Sequence, residues 1–253
     1  MDFLLALFGK RKAWAWPYAV FMAIFVVMPL VMVVYYSFVD ADGFTLRYFH
    51  KFFLANDSIN TFIYSIGVAM ITTLVCVLVG YPCAYFMANK EFGTPKVMAM
   101  LFILPMWINI LLRTLATVAL FDFMHLELDE GALIFGMVYN FLPFMIYPIY
   151  NTLQKMDPAL TEAAKDLGAN PYRVFKDVVF PLSLPGLYSG VVMVFMPTIS
   201  TFAVAELLTM NNVKLFGSII QENINAGLLN YGSALSLILL VIIGLTSFLG
   251  EDE

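Results

Sequence analysis

Long apolar stretches separated by short charged or aromatic loops limit what this chain can fold into. Roughly 20 residues of helix, rising about 1.5 Å each, cross the hydrocarbon of a bilayer. Six segments have that length or come close to it: residues 13–39, 61–87, 97–121, 131–153, 187–208 and 232–249. The expected fold class is therefore all-α, a polytopic membrane protein with six transmembrane helices, residues 1–253 forming a single transmembrane domain. Composition agrees, since 62% of the residues are hydrophobic and 12% charged, against about one half and one quarter in soluble domains. Pro82, Pro105, Pro143, Pro148 and Pro197 lie within these segments, where a missing backbone donor favours bends.

Most of the charges sit in the loops. An apolar run at residues 3–8 is too short to span and precedes Lys10, Arg11 and Lys12, the reverse of a signal peptide's order. It reads as an interfacial turn or short helix, after which the basic triplet anchors the first segment with Trp14 and Trp16 at headgroup depth. Residues 40–60 read as an external loop with a short amphipathic segment at 46–54. Lys10, Arg11, Lys12, Lys90, Lys96, Lys155, Lys165, Arg173 and Lys176 fall on one side, and only Arg47, Lys51 and Lys214 on the other. The positive-inside rule then places the N-terminus and the loop at 155–186 in the cytoplasm. Asp40, Asp42, Asp57 and Glu222 lie outside, as do Asp122, Glu127, Asp129 and Glu130, which form an acidic mouth. Such a mouth would concentrate a cationic solute, although acidic external loops also arise because carboxylates do not hinder export.

Several function classes are excluded. The net charge of −5 and the absence of a basic surface argue against nucleic-acid binding. Cys76 and Cys83 share one helix face and read as packing residues. His50 and His125 have no companions at ligand spacing, so neither a metal ligand nor a catalytic residue is assigned. No G-x-x-x-x-G-K-[ST] loop occurs, so the chain supplies no ATP chemistry of its own.

Two sets of polar residues fall within the apolar segments. Arg113 in the third is too costly to leave unpaired in lipid, and Glu206 at similar depth in the fifth is a possible partner, snorkelling being the alternative. In the fourth, Asn140, Phe144, Tyr147 and Asn151 recur at intervals of four, three and four, on one helix face. That face could line a path for an amine through amide oxygens and ring faces. It could equally glue helices together.

The segment at 155–186, KMDPALTEAAKDLGANPYRVFKDVVFPLSLPG, is the only long charged run bracketed by apolar sequence. Asp157-Pro158 and Asn170-Pro171 each place a capping side chain before a proline at the first helical position. Two short helices are expected, the first ended by Gly168. Pro181 and Pro185 are expected to stop the second, and Gly186 to turn the chain back into the bilayer.

The order Glu162-Ala163-Ala164, Gly168, Phe175, Pro181-Leu182, Pro185-Gly186 resembles the EAA loop of permease subunits of ATP-binding-cassette importers. The flanking sequences, and PMWINILLRTLAT from Pro105 to Thr117, look most like the spermidine/putrescine branch. The resemblance implies the type I importer permease fold in a bacterial cytoplasmic membrane. It implies a coupling helix seated in an ATPase subunit, with Glu162, Ala163, Ala164, Gly168, Arg173, Pro181, Pro185 and Gly186 as coupling residues. It also implies a second, related permease subunit and an external substrate-binding protein, with ATP and Mg held by the ATPase and a polyamine as cargo. Another small solute, such as an oxyanion or iron, is the alternative cargo. A self-contained secondary transporter is the alternative class, and should show an inverted repeat or intramembrane carboxylates.

Overall fold

The structure, a computed structural model, describes residues 16–40, 43–89, 97, 100–102 and 104–248. The basic triplet Lys10 to Lys12, Trp14, Asp42, Lys90 and Lys96 lie outside the described residues. In chain order the elements are α1 (Trp16–Phe38), the hairpin strands β1 (Val39–Asp40) and β2 (Gly43–Phe44), α2 (Arg47–Leu54) and α3 (Asn56–Ala88). A 3₁₀ turn (Leu104–Trp107) precedes α4 (Ile110–Phe123) and α5 (Glu130–Lys155). Then come α6 (Pro158–Asp166), α7 (Pro171–Ser200), α8 (Ala203–Leu208), α9 (Phe216–Asn225) and α10 (Leu229–Phe248). Among the described residues α1, α3, α5 and α7 are each long and apolar enough to cross a membrane, and the bent pair Met100–Trp107 and Ile110–Phe123 makes a fifth if taken as one span. The described apolar stretch of α10, Leu229–Gly244, is shorter.

Two expected helices take a different form. The third segment is broken, because Pro105 sits in the 3₁₀ turn and Asn109 begins a new helix, its side chain accepting from the Leu111 amide at 2.8 Å. The pieces meet at 99°. The fifth segment starts far earlier than residue 187: α7 runs unbroken from Pro171 through Pro181, Pro185 and Gly186 to Ser200. Pro181 and Pro185 therefore do not stop it. A π turn at Phe175–Val179 explains this, since its bonds reach five residues back, from the Phe180 amide to the Phe175 carbonyl. The α ladder is already open where the Pro181 ring and its missing donor fall. The chain breaks later, at Thr201 and Phe202, before α8. Helix α9 had no counterpart in the sequence reading.

The chain divides into two compact units, Met1–Asn56 with Ile220–Val241, and Asp57–Ile219 with Ile242–Glu253. In the first, α1 is exposed along its apolar length and also contains a π turn, Ala23–Val27. The amphipathic segment expected at 46–54 is α2. Gly43, with φ +108, lets β1 and β2 pair antiparallel, Val39 opposite Phe44. The Phe38 ring stacks 5.8 Å from Phe44 and lies 5.0 Å from Phe49. Tyr48 Oη donates to Asp40 Oδ2 at 2.7 Å, and this bond to a carboxylate holds the phenol above its ordinary pKa. Asn230 Nδ2 donates to the Val39 carbonyl at 2.6 Å, and Lys51 Nζ lies 4.3 Å from the Tyr231 ring centre.

In the second unit α5 is the central helix, with Leu133, Met137, Met145, Ile146 and Ile149 buried. Helix α7 lies along most of it. Gly186 and Gly190, four residues apart, permit this approach: a Cβ at Gly190 would stand 2.8 Å from Met145 Sδ and 3.1 Å from the Met145 carbonyl oxygen, and one at Gly186 would stand 2.8 Å from the Pro148 carbonyl. A Cβ at Gly80 of α3 would meet the same methionine, 2.9 Å from Met145 Cγ. Gly186 therefore serves close packing and not the turn expected of it.

Candidate functional site

The segment at 155–186 begins where α5 ends. Asp157 Oδ1 accepts from the Ala159 amide at 3.0 Å and Pro158 opens α6, as the capping signals predict. At the other end Gly168 adopts φ +83. Its amide donates to the Lys165 carbonyl at 2.9 Å, and the Ala169 amide to that of Ala164 at 3.1 Å. These two bonds are a Schellman cap, so α6 ends in a defined geometry. Asn170 Oδ1 accepts from the Arg173 amide at 2.9 Å, and α7 starts at once.

This geometry presents α6 outward. Glu162 and Ala163 are exposed and Ala164 is half-buried against the core. Around them Leu160, Leu167 (89% exposed) and Tyr172 (69% exposed) form an apolar rim. Gly168, Arg173, Pro181 and Pro185 are also exposed, whereas Gly186 is buried between α7 and α5.

Behind α6 the first turns of α7 are anchored. Val174 and Val179 are buried, and the Phe175 ring lies 5.4 Å from Tyr85, 6.0 Å from Tyr81 and 6.3 Å from Phe180. Tyr81 Oη and Ser183 Oγ are 2.7 Å apart and buried. Ser183 donates onward to the Phe180 carbonyl at 2.8 Å, so the phenol is the donor of the first bond. The sequence reading missed this latch between α3 and α7. The small-xxx-small spacing of Gly186 and Gly190 is a sequence sign of close packing on this helix that was not drawn on.

The membrane-embedded candidates separate. Arg113 on α4 is 5% exposed and donates from a terminal guanidinium nitrogen to the Asn140 carbonyl at 3.4 Å. It does not pair with Glu206: among the described residues no ion pair joins them, and Glu206 sits half-buried on α8, a short helix packed on α4. The Arg113 side chain instead reaches across to α5. Asn140 is fully buried and its Nδ2 donates to Thr114 Oγ1 at 3.1 Å. Phe144 and Asn151 are half-buried and Tyr147 is 45% exposed. The four residues share a helix face, but only Asn140 belongs to the polar contact with α4.

The acidic loop is also mixed. Asp129 Oδ1 caps α5, accepting from the Gly131 amide at 2.8 Å and the Ala132 amide at 3.1 Å. Glu130 lies beside the Tyr64 phenol. Asp122 and Glu127 are exposed.

Residues 80–251 match the family model described as "Binding-protein-dependent transport system inner membrane component". The spermidine/putrescine transport system permease protein PotB of Escherichia coli (strain K12) is 30% identical over 249 residues, covering 88% of this chain and 90% of that protein. PotB of Haemophilus influenzae is 33% identical over 248 residues, covering 88% and 87%. PotC of Escherichia coli (strain K12), also named a spermidine/putrescine permease protein, is 26% identical over 223 residues, covering 85% and 84%. Among solved structures, a bacterial ABC transporter involved in import of the acidic polysaccharide alginate aligns with a TM-score of 0.68 at 15% identity, covering 94% of each chain. An inward-facing methionine ABC transporter, MetNI, aligns at 0.61 with 14% identity, covering 76% of this chain and 92% of that one.

Proposed function

The chain belongs to the family of binding-protein-dependent transport system inner membrane components, and from that premise we propose that it is the permease subunit of an ATP-binding-cassette importer for polyamines. Cargo of the spermidine/putrescine class is supported by the names of its relatives. The observation that carries the coupling role is α6, an exposed helix capped at both ends and joined by the Gly168 turn to a helix continuous with the membrane segment.

In this reading ATP and Mg belong to separate ATPase subunits, which grip α6 through Glu162, Ala163 and the apolar rim. Arg173, Pro181 and Pro185 border that contact. A related second permease subunit completes the pathway, and an external binding protein delivers cargo. The chain sits among the lipids of a bacterial cytoplasmic membrane with its N-terminus inside, the side favoured by its cations. Closure of the ATPases would pull on α6. The Schellman cap, the aromatic cluster at Phe175 and the Tyr81 to Ser183 bond would pass that motion to α7 and α3 as a rigid-body tilt. Exposed Asp122 and Glu127 would draw polyamine towards the mouth, most strongly at low salt.

The test is ATP-driven spermidine uptake by the complete transporter in proteoliposomes. Glu162→Lys and Gly168→Pro should abolish uptake while the subunit remains inserted and the ATPase still hydrolyses ATP. Unchanged uptake in both variants would remove the coupling role. Uptake of an oxyanion or iron, with none of spermidine, would replace the cargo.

A further inference from the structure

The two neighbours of α5 meet it with different chemistry. Against α7 the contact is glycine-close, around Met145. Against α4 it is polar, built from Arg113, Thr114, Thr117 and Asn140, all buried. Thr114 Oγ1 donates to the Ile110 carbonyl at 2.8 Å and Thr117 Oγ1 to that of Arg113 at 3.0 Å, so both hydroxyl protons are used within α4. Among the described residues, two buried atoms across the seam have no partner: Arg113 Nε, a donor, and Asn140 Oδ1, an acceptor.

Their opposite sense selects what can satisfy them. A second protein chain cannot reach residues this buried. An anion would serve Nε and leave Oδ1 unpaired, and an amine would serve Oδ1 but be repelled by the guanidinium. Water accepts and donates in one molecule, is small enough for a seam between packed helices, and commonly satisfies buried polar groups.

The helices on the polar side are also bounded by breaks. A 99° bend precedes α4 and His125, with φ +54, follows it. Helix α8, packed on α4, lies between the break at Thr201 and Phe202 and the left-handed residues Met210 and Asn211. We propose that the α4–α5 seam holds a buried water joining Arg113 Nε–H to Asn140 Oδ1, and that this hydrated seam is the joint on which α4, carrying α8, slides over α5 during transport. Water-mediated bonds re-form as helices shift, whereas glycine-close packing cannot slip without losing contact. This deepens the permease reading and rests on it.

Phe121 of α4 and Phe135 of α5 have ring centres 5.4 Å apart, away from the polar atoms. In the complete transporter, with Cys76→Ala and Cys83→Ala, the pair Phe121→Cys and Phe135→Cys is to be joined by a short reducible bis-thiol reagent. Uptake of spermidine and binding-protein-stimulated ATP turnover should fall about tenfold or more and return on reduction, as expected of a gating motion. Equal rates in the joined and reduced forms overturn the joint. A wild-type complex that takes up no spermidine counts against the cargo, and ATP turnover still decides the joint.

Asn140→Asp gives a second reading without cross-linking. It sets a carboxylate opposite Arg113 and removes the amide donor to Thr114 Oγ1, two opposed effects on stability, so the subunit should still insert and fold while uptake slows with KM unchanged. Full-rate uptake overturns the proposal. In a cryo-EM map that shows ordered water, a peak within hydrogen-bonding distance of both atoms is expected. A map of that quality with no such peak overturns the water.

Discussion

Helix α7 and helix α4 both come from proline-bearing apolar stretches and end up opposite in character. Three prolines, Pro181, Pro185 and Pro197, lie in α7 without breaking it, whereas the stretch with Pro105 bends by 99°. The difference lies in what surrounds each ring. In α7 a π turn has already opened the ladder before Pro181, and Gly186 and Gly190 hold the helix against α5. Beside Pro105, Asn109 offers a new N-cap, so the chain restarts as a separate helix. A proline thus marks where a helix can break, and the neighbouring cap or packing decides whether it does.

The contrast between a tightly packed α7 and a polar-seamed α4 can be broken or sharpened by substitution. The largest effect is expected at Gly190→Val. Its Cβ would press on the Met145 backbone, costing about 3 kcal/mol by overpacking, read as a lower melting temperature in detergent. A melt within a degree of wild type would show that α7 is not held as tightly as the glycines imply. Tyr81→Phe should cost about 1 kcal/mol, the net worth of one buried hydrogen bond, and should weaken the coupling of ATP hydrolysis to uptake.

Arg113→Met should cost less, below about 1 kcal/mol, because the apolar stem is retained and the lost charge has no carboxylate partner among the described residues. Uptake should nevertheless fall. A large stability loss here would make the seam a structural strut and erase the contrast. The smallest effect is expected at Tyr48, outside both helices. Its pKa is raised by Asp40, so the stabilisation it contributes is complete below the ordinary tyrosine value of about 10 and fades as pH climbs towards its folded pKa. Tyr48→Phe should leave uptake at neutral pH unchanged and remove this alkaline loosening, measured as hydrogen exchange of the β1–β2 hairpin across pH.

Much of the candidate coupling site was legible beforehand. Asp157, Asn170 and Gly168 do what their types and spacing predict, since each acts on amides or carbonyls a few residues away. The stop at Pro181 and the turn at Gly186 were misread for a complementary reason. Both assignments used local rules, and both residues answer to other things: a π turn in one case and the surface of α5 in the other. Arg113 shows the same limit. Its need for a partner was readable from burial in an apolar segment, but the partner is a backbone carbonyl, and sequence marks no carbonyl as available.

What the sequence by itself determined is therefore the set of apolar lengths that suit a bilayer and the caps that bound α6 and open α7. Counting apolar side chains and matching one capping group to its nearest amides need no knowledge of the rest of the chain. Only the tertiary structure decided that α7 is continuous, that Met145 fills the gap between Gly80 and Gly190, and that Arg113 turns to Asn140 and away from Glu206. Those outcomes depend on atoms far apart in the chain arriving within a few ångströms of each other. Which of several chemically suitable partners arrives is settled by how the helices pack.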